Sequence, residues 1–145
     1  MFERILVVCT GNICRSPVAE AFLKQCLPDR QISSAGLGAL KGEPVSVLAR
    51  QLAEADGLDV TNHQARQLTS TMIREADLIL VMTEGQRRAV GKQSPQSLGK
   101  TLLLGRWLDG GKGRDIPDPY RKTVEVFAHV HILLKDAAHL WSKKL

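Results

Sequence analysis

A parallel α/β fold, with helices on both faces of one sheet, is predicted by two features of this 145-residue sequence. Strand-like segments at residues 4–8, 31–36, 77–82 and 100–105 alternate with segments of helical spacing, the pattern of right-handed crossovers and a parallel sheet. The first strand, "RILVV", is apolar almost without interruption, as a strand buried on both faces must be. In such sheets ligands bind beyond the carboxyl ends of the strands. The stretch "CTGNICRS" begins at one of those ends, so its position alone makes it a candidate site.

Each element has its own local signals. After the first strand, residues 16–27 read as a helix with Ser16 at the N-cap, Pro17 at the first position and Glu20 in the first turn. Val18, Ala19, Phe22, Leu23 and Cys26 recur along it at helical spacing. "QISSAG" (31–36) is the second strand, and residues 44–57 form a helix with Pro44 near its start and Gly57 at its C-cap. Shorter helices are expected at 69–76 and 84–93, around the third strand "DLILVM" (77–82). "KTLLLG" (100–105) supplies the fourth strand, and an amphipathic helix over about 122–143 closes the chain. There is no repeat, low-complexity tract or linker, so residues 1–145 are read as one domain.

Composition excludes several function classes. Hydrophobic residues make up 43% of the chain and charged residues 24%, the values of a globular protein. The net charge of +5 is scattered rather than gathered in a run, and aromatics are only 4%, so a base-stacking nucleic-acid surface is not expected. The charge is read as a mild attraction for anionic ligands. No stretch approaches the roughly 18 apolar residues of a membrane span. "MFERILVV" lacks the pattern of a signal peptide, and three cysteines argue against a disulfide framework, so a reducing cytoplasm is the expected location.

Four readings compete for Cys9 and Cys14. Zinc needs about four ligands in short pairs. The two cysteines have the wrong spacing for that, and His63, His129, His131 and His139 complete no such set. His129 and His131, two apart on a helix, face different ways, and no metal is expected. A structural disulfide is disfavoured by the compartment. A buried inert thiol suits Cys26 on its helical stripe but leaves the residues after Cys9 unexplained.

The fourth reading is a nucleophile in an anion cradle. Thr10, Gly11, Asn12, Ile13 and Cys14 form a five-residue loop between Cys9 and Arg15, long enough to curl around a tetrahedral anion. Gly11 and Asn12 tolerate the left-handed backbone that converging amides require. The loop runs into a helix N-terminus, whose free N–H groups and dipole favour an anion. Arg15 adds a planar fork for two phosphate oxygens. The same positive surroundings are expected to favour the thiolate of Cys9. Attack by that thiolate needs a proton donor for the leaving group. "RDIPDPYRK" (114–122) carries two aspartates, stiffening prolines at 117 and 119, and the only tyrosine. Asp118 is the stronger candidate and Asp115 the weaker; either could instead cap a turn or the final helix, and Tyr120 could be a half-buried anchor.

"CTGNICRS" near the N-terminus with "DPY" near the C-terminus resembles the low-molecular-weight protein-tyrosine phosphatases, and "SSAG" (33–36), "NHQARQL" (62–68) and "LILVM" (78–82) extend the likeness over nearly the whole chain. "SAGLGAL" and "IPDPYRK" are in the style of bacterial members encoded with capsule and exopolysaccharide genes, which act on tyrosine autokinases. The resemblance implies a four-stranded parallel sheet and no cofactor. It implies that Cys9 forms a cysteinyl-phosphate, that Arg15 binds phosphate in the transition state, and that Ser16 hydrogen-bonds the thiolate. Asn12 would fix the loop backbone with support from Ser34 and His63. Asp118 would be the general acid and then the base, Tyr120 the wall beside the substrate ring, and Cys14 the partner that traps an oxidised Cys9 as a disulfide. The chain departs from the family at three places. Thr83 followed by Glu84 stands where many members have an acid, and Glu84 could take over an ion pair towards the loop. Arg121 stands where eukaryotic members carry a second tyrosine, and Leu40 where they place a large aromatic at the substrate rim.

The function these residues imply is hydrolysis of phosphotyrosine, with a phosphotyrosine protein as partner. Two alternatives stay open. An arsenate reductase of the same fold would relay oxidation to later cysteines, and none follows Cys26. A non-catalytic phosphoprotein-binding module would need neither nucleophile nor acid.

Overall fold

The alternation of side chains along the first strand organises two cores. In the computed structural model, which describes residues 2–145, β1 (Arg4–Cys9) places Ile5, Val7 and Cys9 on one face of the sheet and Leu6 and Val8 on the other. Both faces are buried, and each such side chain contributes roughly 1.5–3 kcal/mol on leaving water. The chain continues through α1 (Arg15–Cys26), β2 (Gln31–Gly36), α2 (Val47–Ala55), α3 (Ser70–Glu75), β3 (Leu78–Val81), α4 (Glu84–Gln93), β4 (Thr101–Leu103) and α5 (Val124–Ser142).

The four strands form one sheet in the order β2-β1-β3-β4, and every pair is parallel. α1, α2 and α5 bury Phe22, Leu23, Ala53, Val130 and Leu134 against one face; α3 and α4 bury Ile73 and Val90 against the other. From β1 the chain winds first outward to β2, then back past β1 to β3. The crevice beyond the carboxyl ends of β1 and β3 lies at that reversal. Cys9 is the last residue of β1 and Met82 follows β3, so both edges of the crevice are defined.

The structure agrees with the predicted fold class and moves several boundaries. α1 begins at Arg15 with Cys14 at its N-cap, so Ser16 lies inside the helix and its hydroxyl is turned elsewhere. Glu20 consequently falls beyond the first turn and pairs with Lys24 at 2.6 Å. α2 starts at Val47 after Ser46, and Pro44 stays outside it, while Gly57 takes the expected left-handed position (φ 77°) after the helix. β4 is only three residues long, because Leu104–Trp107 curls into a 3₁₀ turn. Cys26 is half-buried rather than sealed in the core. α3, α4 and α5 all start after a threonine cap: Thr69, Thr83 and Thr123 accept from the amides of Met72, Gln86 and Val126.

Candidate active site

Between β1 and α1 the backbone of residues 9–14 turns outward at five successive carbonyls. The amides of Leu37, Gly38, Leu40 and Ser46 donate to the carbonyls of Cys9, Thr10, Gly11 and Ile13 at 2.9–3.1 Å. His63 Nε2 donates to the carbonyl of Asn12 at 2.7 Å. A trans peptide points its N–H opposite to its C=O. The amides of Thr10, Gly11, Asn12, Ile13 and Cys14 therefore turn to the inside of the loop, as an anion-binding nest requires. Two residues permit this shape. Asn12 has φ 60°, and a Cβ on Gly36 would sit 2.4 Å from the Thr10 carbonyl oxygen.

Asn12 is wholly buried, and its side chain is fully used. Its Nδ2 donates to Ser16 Oγ at 2.7 Å and to Ser34 Oγ at 3.0 Å, while its Oδ1 accepts from the Arg66 amide at 2.9 Å. Ser16 Oγ lies 2.9 Å from Cys9 Sγ. Because the asparagine amide occupies an acceptor position on Ser16, the serine proton is free to point at the sulfur. Towards a thiolate, which has no proton, Ser16 must be the donor.

Arg15 is 3% exposed, and its Nη1 donates to the carbonyl of Ile116 at 2.8 Å. Its Nη2 lies 3.7 Å from Asp118 Oδ2, on a carboxylate that is half exposed. The acid loop is hung from the sheet through the Ile116 amide, which donates to the Met82 carbonyl at 2.8 Å. Asp118 Oδ1 also accepts from the Tyr120 amide at 3.0 Å, which sets the turn beneath it. Asp115 is placed differently: its Oδ1 accepts from the Glu84 amide at the start of α4. Glu84 pairs with Arg87 at 3.4 Å, and Thr83 caps α4.

These parts enclose a cavity of about 150 Å³. Cys9, Ile13 and Arg15 line its depth, Asp118 one side, and Leu40 and Tyr120 its exposed walls. Cys14 also borders it, but burial pushes its thiol up to about 11 against the opposing hydrogen bond from Ser46, 3.2 Å away. Cys9 and Cys14 are both free thiols. The structure thus brings together all the predicted loop residues with Ser34, His63, Leu40, Asp118 and Tyr120.

Three supports were not legible in the sequence. Gln86, nearly buried in α4, donates to Thr10 Oγ1 at 3.1 Å and accepts from the Met82 amide at 2.8 Å, tying the loop to the strand that carries the acid. Gln67 accepts from the Ala39 amide and donates to the Leu37 carbonyl, holding the segment that bears Leu40. Ser46 clamps the loop with both its amide and its hydroxyl. Arg66 and Gln67 fall within the quoted "NHQARQL"; Gln86 reads locally as an ordinary polar helix residue.

Comparison with known proteins places this chain in a family. Residues 4–145 match the family model of the low molecular weight phosphotyrosine protein phosphatases. The chain is 46% identical over 145 residues to a putative low molecular weight protein-tyrosine-phosphatase of Klebsiella pneumoniae, covering 100% of this chain and 99% of the relative. It is 44% identical over 145 residues to the low molecular weight protein-tyrosine-phosphatase Wzb of Salmonella typhimurium, with 100% and 95% covered. Its fold superposes with a TM-score of 0.95 on Vibrio vulnificus Wzb in complex with benzylphosphonate, at 44% identity over 100% of both chains. The chain belongs to the low molecular weight phosphotyrosine protein phosphatase family.

Proposed function

We propose that this protein hydrolyses phosphotyrosine in proteins through a cysteinyl-phosphate intermediate. The observation that carries the reading is the convergence, in one cavity, of a sulfur hydrogen-bonded by Ser16, a buried guanidinium and a half-exposed carboxylate. Family membership and the benzylphosphonate held by the Vibrio vulnificus relative support it.

In this mechanism the inward amides of residues 10–14 and Arg15 hold the phosphoryl oxygens, and the Cys9 thiolate attacks phosphorus. The bond from phosphorus to the tyrosyl oxygen breaks, and Asp118 gives that oxygen its proton. Leu40 and Tyr120 flank the departing ring. In the second step Asp118 takes a proton from water as the water attacks phosphorus. The phosphorus–sulfur bond breaks, inorganic phosphate forms, and Ser16 receives the returning thiolate with its hydrogen bond. Cys14 serves as a redox guard: peroxide converts the Cys9 thiol to a sulfenic acid, and the Cys14 thiol displaces water from it to form a disulfide. The protein substrate is a tyrosine autokinase of capsule or exopolysaccharide export, and the enzyme works in the cytoplasm. Support for that assignment is the likeness to the Wzb phosphatase of Salmonella typhimurium.

The test is hydrolysis of p-nitrophenyl phosphate without added metal. Turnover by the wild type, lost in Cys9→Ala and reduced about 10²–10⁴-fold in Asp118→Ala, is expected. Full turnover in Cys9→Ala would end the reading.

A further inference from the structure

The mouth of the cavity carries a charge pattern that the reaction at its floor does not use. Two turns form the walls. In the first, the Glu43 amide donates to the Leu40 carbonyl at 3.0 Å, and Gly42 takes the left-handed third position (φ 82°). Lys41 stands at the exposed corner of that turn. In the second, the Lys122 amide donates to the Pro119 carbonyl at 2.9 Å, and Arg121 takes the left-handed third position (φ 60°).

The two turns repeat one arrangement: an apolar side chain lining the cavity, followed directly by an exposed cation. Lys41 follows Leu40, and Arg121 follows Tyr120, with Lys122 exposed beside it. The left-handed position favours glycine, which the first turn supplies. The second turn keeps an arginine there despite the backbone strain. Its guanidinium carbon lies 5.2 Å from the Tyr120 ring centroid, so the charge is stacked on the wall rather than left to wander in solvent. Glu43 is the single acid within the two turns, against three cations.

We propose that these two turns form an electropositive rim that selects phosphotyrosine segments carrying further negative charge, carboxylate or phosphate, within two residues of the phosphotyrosine. The inference rests on the phosphatase reading and adds which phosphotyrosine segments are preferred. With the phosphotyrosine seated between Leu40 and Tyr120, an extended segment advances about 3.3 Å per residue, which places the nearest neighbours over the rim. Exposed ion pairs of this kind are modest and screened by salt, so the preference is expected to be several-fold and ionic-strength dependent.

The experiment compares kcat/KM for three phosphotyrosyl peptides: one with glutamates flanking the phosphotyrosine, one with glutamines there, and one with a second phosphotyrosine. The wild type should favour each anionic peptide over the glutamine peptide by about two- to five-fold per added charge at low salt. Raising salt to about 0.5 M should compress the ratio towards one. The double variant Lys41→Gln, Arg121→Gln should do the same, and Arg121→Gly, which relieves the strain, should do so in part. A preference for the second phosphotyrosine alone would confine the selected charge to phosphate. A wild-type ratio of one, or a ratio that survives in the double variant, overturns the rim. p-Nitrophenyl phosphate has no flanking residues, so its hydrolysis by the wild type separates failure of the rim from failure of the phosphatase reading.

Discussion

Arg15 Nη1 donates to the carbonyl oxygen of Ile116 at 2.8 Å, joining the nucleophile loop to the acid loop across 101 residues. The same guanidinium presents its other nitrogen to Asp118. A planar fork serves both directions at once, and an ammonium cannot. Arg15→Lys should therefore lower kcat at least about 10²-fold, the usual cost of one transition-state donor. It should also lower the melting temperature, because the Ile116 carbonyl loses its buried donor. Steady-state kinetics with a thermal scan checks both.

The Ser16 hydroxyl, 2.9 Å from Cys9 Sγ, matters most when the sulfur leaves phosphorus. A hydrogen bond to a charged group contributes about 1.5–3 kcal/mol, so Ser16→Ala should slow the second step about 10–100-fold. The sign of this is a burst: one equivalent of p-nitrophenol released quickly, then slow turnover. Proportional slowing with no burst would place Ser16 in the first step instead.

Gln86 links Thr10 to Met82, and Met82 carries the acid loop through Ile116. Gln86→Leu strands the buried Met82 amide, costing about 1–3 kcal/mol of stability. Its activity loss should grow as the leaving group becomes a poorer one, because the donor Asp118 is displaced. Gln86→Glu keeps an acceptor for the Met82 amide and should recover most of that dependence. Equal losses with all leaving groups would reduce Gln86 to a structural residue.

At the far end of α2, His131 Nε2 lies 2.6 Å from Asp56 Oδ2, and Lys135 Nζ 3.3 Å from Oδ1. The hydrogen bond from His131, then Lys135, holds the Asp56 carboxyl below its ordinary value, while partial burial opposes the shift. A depressed carboxylate stabilises the fold fully above its unfolded value, and that contribution is lost as pH falls through the folded one. Asp56 is about a third exposed, so the effect is at most about 1 kcal/mol, or roughly 2–4 °C. The fall in melting temperature between neutral pH and about pH 3 should be smaller in Asp56→Asn, by up to that amount.

Local signals were enough for most elements and for the floor of the site. α4 was legible to the residue, because its start has a threonine cap and its end leads into a proline-led 3₁₀ turn. The nucleophile loop was legible because its chemistry is packed into eight consecutive residues. By its sequence Ser16 reads as a cap because a serine before a proline satisfies that local rule; its tie to Cys9 and Asn12 belongs to a loop already folded. Apart from the bond of Gln86 to the Met82 amide four residues back, the side-chain bonds of Gln86, Arg66, Gln67 and Ser46 that support the site reach 28 to 76 positions along the chain, and such contacts leave no local period. β4 fell short of its apolar run because Leu104 leaves the sheet for a 3₁₀ turn while staying buried.

In the proposed mechanism phosphate passes through Cys9. Rapid acid quench of the Ser16→Ala variant, in which the second step is slowed, with a phosphotyrosyl peptide, followed by peptide mass analysis, is the sharpest test. One phosphoryl group is expected on the peptide containing Cys9, and none in Cys9→Ala. A phosphoryl group on another residue, or inorganic phosphate released by Cys9→Ala at the wild-type rate, would contradict it.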